Sequence, residues 1–309
     1  MNKPFYIFLF ILAFCCEAKT QANLVPNGSF EDTLSCPNNG GQIGLAKKWF
    51  DPNLLSSDLF HSCASINYCA VPINYFGYQQ PYHGFAYAGI TTFWNSQPDY
   101  REYVGVELSE NLINGTTYCV TLSISLADSC QYGINNIYVG FYNDTLGIIK
   151  NILTPDSKYL LPHINEISKN SWSKTTFSFI ANGFEKYLTI GNFDADSSVN
   201  IIYNSNNNFA YNYAYYYLDS IELKECEIIL PNVFTPNGDG ANDFWRVDLL
   251  ENSNFNVFNR WGVKIFETTA KEIEWDGNNK YGELCTDGIY FFTIESKEKH
   301  YKGHIQLIR

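Results

Sequence analysis

The sequence is short of charge, of lysine and of anything that reads as a long helix. Asp, Glu, Lys and Arg make up 17% of its 309 residues, against about a quarter in an average soluble domain. Catalytic signatures are missing too. There is no G-x-S-x-G elbow, no H-E-x-x-H pair and no glycine-rich phosphate loop. His61, His83, His163, His300 and His304 lie far apart, and none sits in a nucleophile motif. A carboxylate pair for glycoside hydrolysis needs only proximity in space, so the abundance of Asp and Glu carries no information about it. The expectation is a binding or structural protein, not an enzyme. Basic charge is scarce as well: the net charge is −12. Residues 23–226 hold nine Lys and Arg against eighteen Asp and Glu, and residues 227–309 hold nine against thirteen. Such a surface repels phosphate, which excludes nucleic acid and anionic lipid as partners. Neutral sugars and divalent cations remain compatible with it.

No apolar run is long enough to span a bilayer. The longest, Phe5 to Phe14, follows Lys3 and precedes small residues at Ala18 and Ala22. That is the grammar of a secretory signal over residues 1–22. A lipoprotein acylated at Cys15 or Cys16 is the competing reading, opposed by the bulky Phe14. The remaining chain has room for two domains.

What is present is strand pattern. Thr116 to Asp128 alternates, with Tyr118, Val120, Leu122, Ile124 and Leu126 on one face. Further alternating runs are Asn136–Phe141, Thr175–Ile180, Tyr187–Phe193 and Tyr215–Leu223, separated by Gly, Asn, Pro and Ser clusters. Thr154 to Ser168 is the one stretch whose pattern admits a short helix, and two prolines weaken it. Many strands in some two hundred residues predict a β-sandwich or jelly roll.

The last eighty residues have a grammar of their own. LPNVFTPNGDGANDFW (Leu230–Trp245) excludes helix through Pro231 and Pro236 and forces tight turns through Gly238, Asp239 and Gly240. FNRWGVKIFE (Phe258–Glu267) places Trp261-Gly262 between two alternating runs, which is a hairpin. WDG (Trp275–Gly277), DGIYFFTI and a terminal KGHIQLIR complete the series. These motifs, in this order, resemble the gliding-motility-associated C-terminal domain, the type B sorting domain of the type IX secretion system of Bacteroidetes. Ala241 departs from the branched residue usual there, and Glu283-Leu284 stands where Pro is common before Cys285. The resemblance implies a small immunoglobulin-like β-sandwich over residues 227–309, and export through the Sec route and then type IX secretion. It implies handling by the type IX translocon and an outer-membrane partner of type B cargo, and a secreted or cell-surface location. Its sorting-signal residues fall on Pro231, Asn232, Phe234, Pro236, Asn237, Gly238, Asp239, Gly240, Asn242, Asp243, Arg260, Trp261, Gly262, Lys302, Gly303, Leu307, Ile308 and Arg309. The acidic loop Asn237–Asp243 also resembles a calcium loop, but the EF-hand spacing is absent and a turn held by Asn and Asp side chains is the favoured reading.

LVPNGSFED, LINGTTYCVTLSISL and YYYLDSIELKEC resemble the ends and middle of galactose-binding-like jelly rolls of carbohydrate-binding modules, over residues 23–226. In that family a first-strand Glu and a last-strand Asp help to hold a structural Ca2+, and Glu31 and Asp219 match those positions. Asp219 shares strand parity with Tyr217, Ile221 and Leu223, so it points to an apolar layer, where a carboxylate needs a cation or backbone donors. Both remain open: a calcium site, or a carboxylate capping backbone N–H groups.

Aromatic residues crowd Tyr68 to Trp94 and alternate at Tyr211, Tyr213, Tyr215 and Tyr217. Sugar rings stack on aromatic faces, which makes Tyr75, Tyr78, Tyr82, Trp94, Arg101 and Asp128 candidate ligand contacts. The competing account is cross-strand packing of the rings. Seven cysteines follow residue 22, and export makes disulfides the first reading. The expected pairs are Cys226–Cys285, Cys36–Cys63 and Cys119–Cys130, with Cys69 left over. His61-x-Cys63 lacks the spacing of a zinc site. Together these features predict a surface protein whose body binds glycan or adheres. A structural subunit of an adhesin or gliding-motility assembly is the alternative, and a glycoside hydrolase the least favoured reading.

Overall fold

A computed structural model describes residues 22–65, 68–144, 151–162, 171–203, 211–226, 230–296 and 300–309, with backbone alone at 250–251. The expected secretory signal lies almost wholly outside these residues. In chain order the first strands are β1 (Trp49–Phe50), β2 (Asp58–His61), β3 (Ile73–Asn74), β4 (Gly77–Tyr78), β5 (Ala86–Trp94) and β6 (Val104–Glu107). Then come β7 (Thr117–Leu126), β8 (Tyr132–Ile134), β9 (Tyr138–Tyr142), β10 (Ser157–Leu160), β11 (Ser173–Ile180) and β12 (Tyr187–Gly191). β13 (Ile201–Tyr203) and β14 (Tyr213–Glu225) close the body. The C-terminal module holds β15 (Val233–Phe234), β16 (Trp245–Phe258), β17 (Lys264–Trp275), β18 (Gly288–Glu295) and β19 (His300–Leu307). Within the stretch that admitted a helix, Ser157–Leu160 forms instead the edge strand β10, paired with β9, and its residues 163–168 lie outside the described residues.

The body is a jelly-roll sandwich of two antiparallel five-stranded sheets, ordered β1-β6-β12-β9-β10 and β11-β7-β14-β5-β2. Its inter-sheet core takes Val104, Val106, Val139, Phe141, Leu188 and Ile190 from the first sheet. The second contributes Ala88, Ile90, Tyr216 and Leu218, together with the alternating Tyr118, Val120, Leu122, Ile124 and Leu126 of β7. Burying each large apolar side chain contributes on the order of 2 kcal/mol. Alternation along β14 sends Tyr215 and Tyr217 to the other face, into a second aromatic layer with Phe60, Phe76 and Tyr87.

Asp219 corrects the parity expected for the end of β14. The register of β14 against β7 shifts between Asp219 and Glu222, and Ser220 adopts φ +50°. One residue in the left-handed region flips every later side chain to the opposite face. Asp219 therefore lies on the outer side with Tyr217, while Ile221 and Leu223 enter the inter-sheet core.

Two of the expected cysteine pairings are corrected. Cys36 bonds Cys63, and Cys119 bonds Cys226, 107 residues away in sequence. Lys224 sits opposite Cys119 in the β7–β14 ladder, and the Cys226 N–H donates to the Thr117 carbonyl, so neighbouring strands carry the two sulfurs together. Cys119–Cys130 is excluded by geometry. An extended strand rises about 3.3 Å per residue, so the two residues stand some 20 Å or more apart at opposite ends of β7. Cys285, expected with Cys226, keeps a free thiol in the C-terminal module, as Cys69 does in the body.

The C-terminal module is one sheet, ordered β15-β19-β18-β16-β17, with β15 parallel to β19 and the rest antiparallel. It makes a sandwich by folding over. Trp245 and Phe255 lie ten residues apart on β16, about 33 Å along a straight strand, yet their rings stack at 4.8 Å. The bend falls at the register shift between Asp248 and Ser253. Phe234, Trp275, Tyr290, Phe292, Ile305 and Leu307 fill the space so enclosed. The hairpin turn expected at Trp261-Gly262 is present, closed by the Gly262 N–H on the Asn259 carbonyl.

Candidate functional site

The body carries a third layer, and the sequence explains why. Tyr215, Tyr217, Tyr87 and Phe60 leave a sheet face too apolar for water, and residues 68–85 cross it. The β3–β4 hairpin pushes Phe76 flat onto Tyr215, with ring centroids 3.6 Å apart. Buried amides lock the crossing. Asn74 donates to the Tyr87 hydroxyl at 2.9 Å and accepts from the Tyr217 hydroxyl at 2.8 Å. Gln79 Oε1 accepts from Ser125 at 2.8 Å, and the Gln79 carbonyl accepts from Tyr87 at 3.0 Å. The buried hydroxyls of Tyr87, Tyr217 and Ser125 are thereby satisfied.

The hairpin turns Asn74 and Phe76 inward, while Tyr75 in its turn and Tyr78, paired with the exposed Ile73, face outward. Two kinds of outward ring result. Tyr75 stacks between Tyr68 and Tyr211, at 4.8 Å from each, and Tyr211 stacks on Tyr213. Those rings spend their faces on one another. Tyr78 (53% exposed) and Phe85 (63%) make no ring contact among the described residues, and Tyr82 (45%) meets only the edge of Trp172. Gln80 joins them: its side-chain amide donates to the Tyr78 hydroxyl, and its carbonyl accepts from the Trp172 indole at 2.7 Å. Open ring faces flanked by an exposed amide form a strip that can stack on an apolar ring face and bond hydroxyls. Trp172 and Gln80 were not among the residues singled out from the sequence. Trp172 lies ninety residues from the hairpin in the chain, and only the path into β11 brings it there.

Three of the expected ligand contacts serve the scaffold instead. Arg101 is fully buried. Its guanidinium pairs with Asp196 at 2.5 Å and donates to the carbonyls of Tyr100 and Asp194, holding the loop after β12. Asp128 accepts from the Tyr78 N–H, and a Cβ on Gly77 (φ +133°) would collide with its Oδ1. It fixes the hairpin turn. Trp94 is half-buried, edge-on to Tyr100 and Tyr213, with its indole donating to Asn212.

Glu31 and Asp219 approach the same loop from two sides. Glu31 Oε1 accepts from the N–H groups of Phe85 and Ala86 at 2.9 and 3.1 Å. Asp219 Oδ2 accepts from Tyr82 and His83 at 2.9 and 3.1 Å, while Oδ1 accepts from the Ser220 N–H at 2.5 Å. Backbone donors thus meet both carboxylates. Among the described residues no group of three or more His, Cys, Asp or Glu side chains is placed to share a metal ion. Burial pushes Asp219 up to about 7 despite those donors. In the loop Asn237–Asp243 the Asp243 carboxylate accepts from Gly238 and Gly240, and Asp239 accepts from Ala241, which is the turn reading.

A carboxylate cluster lies deeper. Glu102 accepts from the Thr91 N–H at 2.7 Å and from the hydroxyls of Tyr100 and Ser56; Asp58 accepts from the Gly41 N–H and the Tyr215 hydroxyl. Both are almost fully buried. Desolvation and the Glu102 charge push Asp58 well above the carboxylate range, and desolvation carries Asp51 to about 6. The oxygens of Asp58 and Glu102 are committed inside the fold, which is not the open pair that hydrolysis of a glycoside needs.

Among the described residues no helix is long and apolar enough to cross a membrane. No curated protein matches the chain. Solved structures with some likeness include the CBM22-1 xylan-binding domain of Paenibacillus barcinonensis Xyn10C, at 11% identity and TM-score 0.35, covering 65% of this chain and 94% of that one. The K3 cleaved adhesin domain of Lys-gingipain from Porphyromonas gingivalis w83 follows at 13% identity and TM-score 0.32, covering 66% and 98%. Likeness at that level carries no argument. The C-terminal module is different: residues 228–307 match the CHU_C type IX secretion signal domain, so the protein is handled by the type IX secretion machinery and exported to the cell surface or beyond.

Proposed function

We propose that the exported body is a non-enzymatic glycan-binding module whose contact surface is the strip of Tyr78, Gln80, Tyr82 and Phe85. The observation that carries this reading is the unequal use of the rings. Most aromatics of the third layer are stacked or buried, while these three keep open faces on a segment that four carboxylate-to-backbone bonds hold in place. A rigid platform loses little entropy on binding. Neutral ligands also suit a body with twice as many acids as bases. On the way out, the C-terminal module engages the type IX translocon and an outer-membrane partner.

The test is a glycan array with the purified protein beside a Tyr78→Ala/Tyr82→Ala variant. Binding at micromolar to millimolar concentration that the variant loses supports the proposal. No glycan bound at millimolar concentration, with an outer-membrane protein recovered by pull-down, would replace it with a structural role in a surface assembly.

A further inference from the structure

The residues that mark the C-terminal module as a secretion signal divide sharply once they are placed in the fold. Phe234 and Leu307 are buried side by side in the β15–β19 pair. Asn237, Asp239 and Asp243 close their own loop through side-chain bonds to its N–H groups. Arg309 donates to the carbonyls of Cys285 and Gly277, and Gly303 lets the Phe292 ring pack against the backbone. All of these build the module. The side chains of Arg260, Trp261 and Lys302 are exposed and make no hydrogen bond or ion pair among the described residues; the Trp261 ring, at 78% exposure, has only Arg260 across it.

These three border one surface. Outward residues of β18 are Ile289, Phe291, Thr293 and Glu295, opposite Gln306, His304, Lys302 and His300 of β19. Phe291 also faces Phe258, which faces Lys264 across the next pair, and the chain turns there into Arg260 and Trp261. Arg260 lies back over the start of β18, its guanidinium within 3.5 Å of where a Cβ on Gly288 would be. The outer sheet face thus has an apolar centre of Ile289 and Phe291, each about half exposed, with Trp261 at its corner. Lys264 is paired with Glu267, and the outward Glu295 stands diagonal to Lys302 without an ion pair to it, which leaves Arg260 and Lys302 as the basic groups of this face with no ion-pair partner among the described residues. Two such cations at the rim stand out in a chain of net charge −12.

The geometry points to this face, Ile289 and Phe291 rimmed by Arg260, Trp261 and Lys302, as the surface that the secretion machinery reads, docking an apolar patch edged with carboxylates. The inference rests on the module being the export signal. It explains why residues with no work inside the fold belong to the signal at all. Apolar area gives the contact its strength, while the rim charges set orientation and encounter rate.

The experiment expresses the full chain in a host that has a type IX system and measures surface against periplasmic protein. Four variants are compared: Trp261→Ser/Phe291→Ser, Arg260→Glu/Lys302→Glu, a control Glu272→Lys on β17, and a deletion of residues 228–309. Both face variants should accumulate in the periplasm with at least tenfold less at the surface, while the control is exported normally. The charge variant alters only exposed, unbonded side chains, so an unchanged melting curve separates lost recognition from lost folding. Normal export of both face variants with retention of the deletion overturns the docking face and leaves the signal intact. Normal export of the deletion overturns the signal itself.

Discussion

Asp58 and Tyr215, 157 residues apart, share a 2.5 Å hydrogen bond beneath the aromatic layer, with the Tyr215 hydroxyl donating to the Asp58 carboxyl. The contact ties edge strand β2 to the centre of its sheet. It also places an ionisable group where ionisation is unfavourable, because burial and the nearby Glu102 both oppose the charge.

Stability should therefore fall as pH rises. Asp58, Asp219 and Asp51 all have folded-state values raised above the ordinary 3.8 by burial. A raised acid stabilises the fold fully below the unfolded value and loses that contribution as pH climbs through the folded one. The window runs from about pH 4 through neutrality. Asp194 acts the other way: burial opposes its charge, but bonds from Lys158 and Tyr138 outweigh it and lower its value, so its contribution is lost in acid. The body should melt highest near pH 5 and several degrees lower at pH 8.5. Asp58→Asn keeps an acceptor for Gly41 and should flatten the slope; an equally steep curve in that variant would place the effect elsewhere.

Chelation offers a second test. Backbone donors already satisfy Glu31 and Asp219, so EDTA should leave the melting curve of metal-free-buffered protein in place. A midpoint that rises with free Ca2+ would instead show a bound cation stabilising by mass action. Asp219→Ala should destabilise in either case, by about 1–3 kcal/mol, because the N–H groups of Tyr82 and His83 lose their acceptor.

Reduction should act through Cys119–Cys226, which closes 107 residues of the body. Cross-links over long loops contribute about 2–4 kcal/mol. Cys119→Ser/Cys226→Ser should lower the urea midpoint of the body while a Cys285→Ser variant leaves it unchanged, since Cys285 belongs to the other module. A shared effect would mean that the thiol of Cys285 participates after all.

Gly77→Ala should connect packing to binding. Its φ of +133° strains any side chain, and the new Cβ would strike Asp128. The cost is about 1–3 kcal/mol, and the hairpin carrying Tyr78 must shift. Glycan affinity should drop at least tenfold while the inter-sheet core, probed by near-UV spectroscopy, remains native. Unchanged affinity would remove Tyr78 from the site.

Strand content and the type IX secretion signal were legible in the sequence because each is carried by short-range signals. Period-two alternation in Thr116–Asp128 is a property of neighbouring residues, and so are the proline and glycine turns of Leu230–Trp245 and the Trp261-Gly262 hairpin. Tertiary structure decided what depends on distant partners. The parity argument for Asp219 failed at one left-handed residue, Ser220, which no pattern announces. The cysteine pairs followed strand neighbourhood, so Cys119 found Cys226 and not the closer Cys130. Arg101 went inside because Asp194 and Asp196 wait for it across the sheet. Which rings keep open faces was settled by the crossing of residues 68–85 and by Trp172 from about ninety residues away. Sequence specifies which side chains alternate; only the assembled layers decide which of them water still reaches.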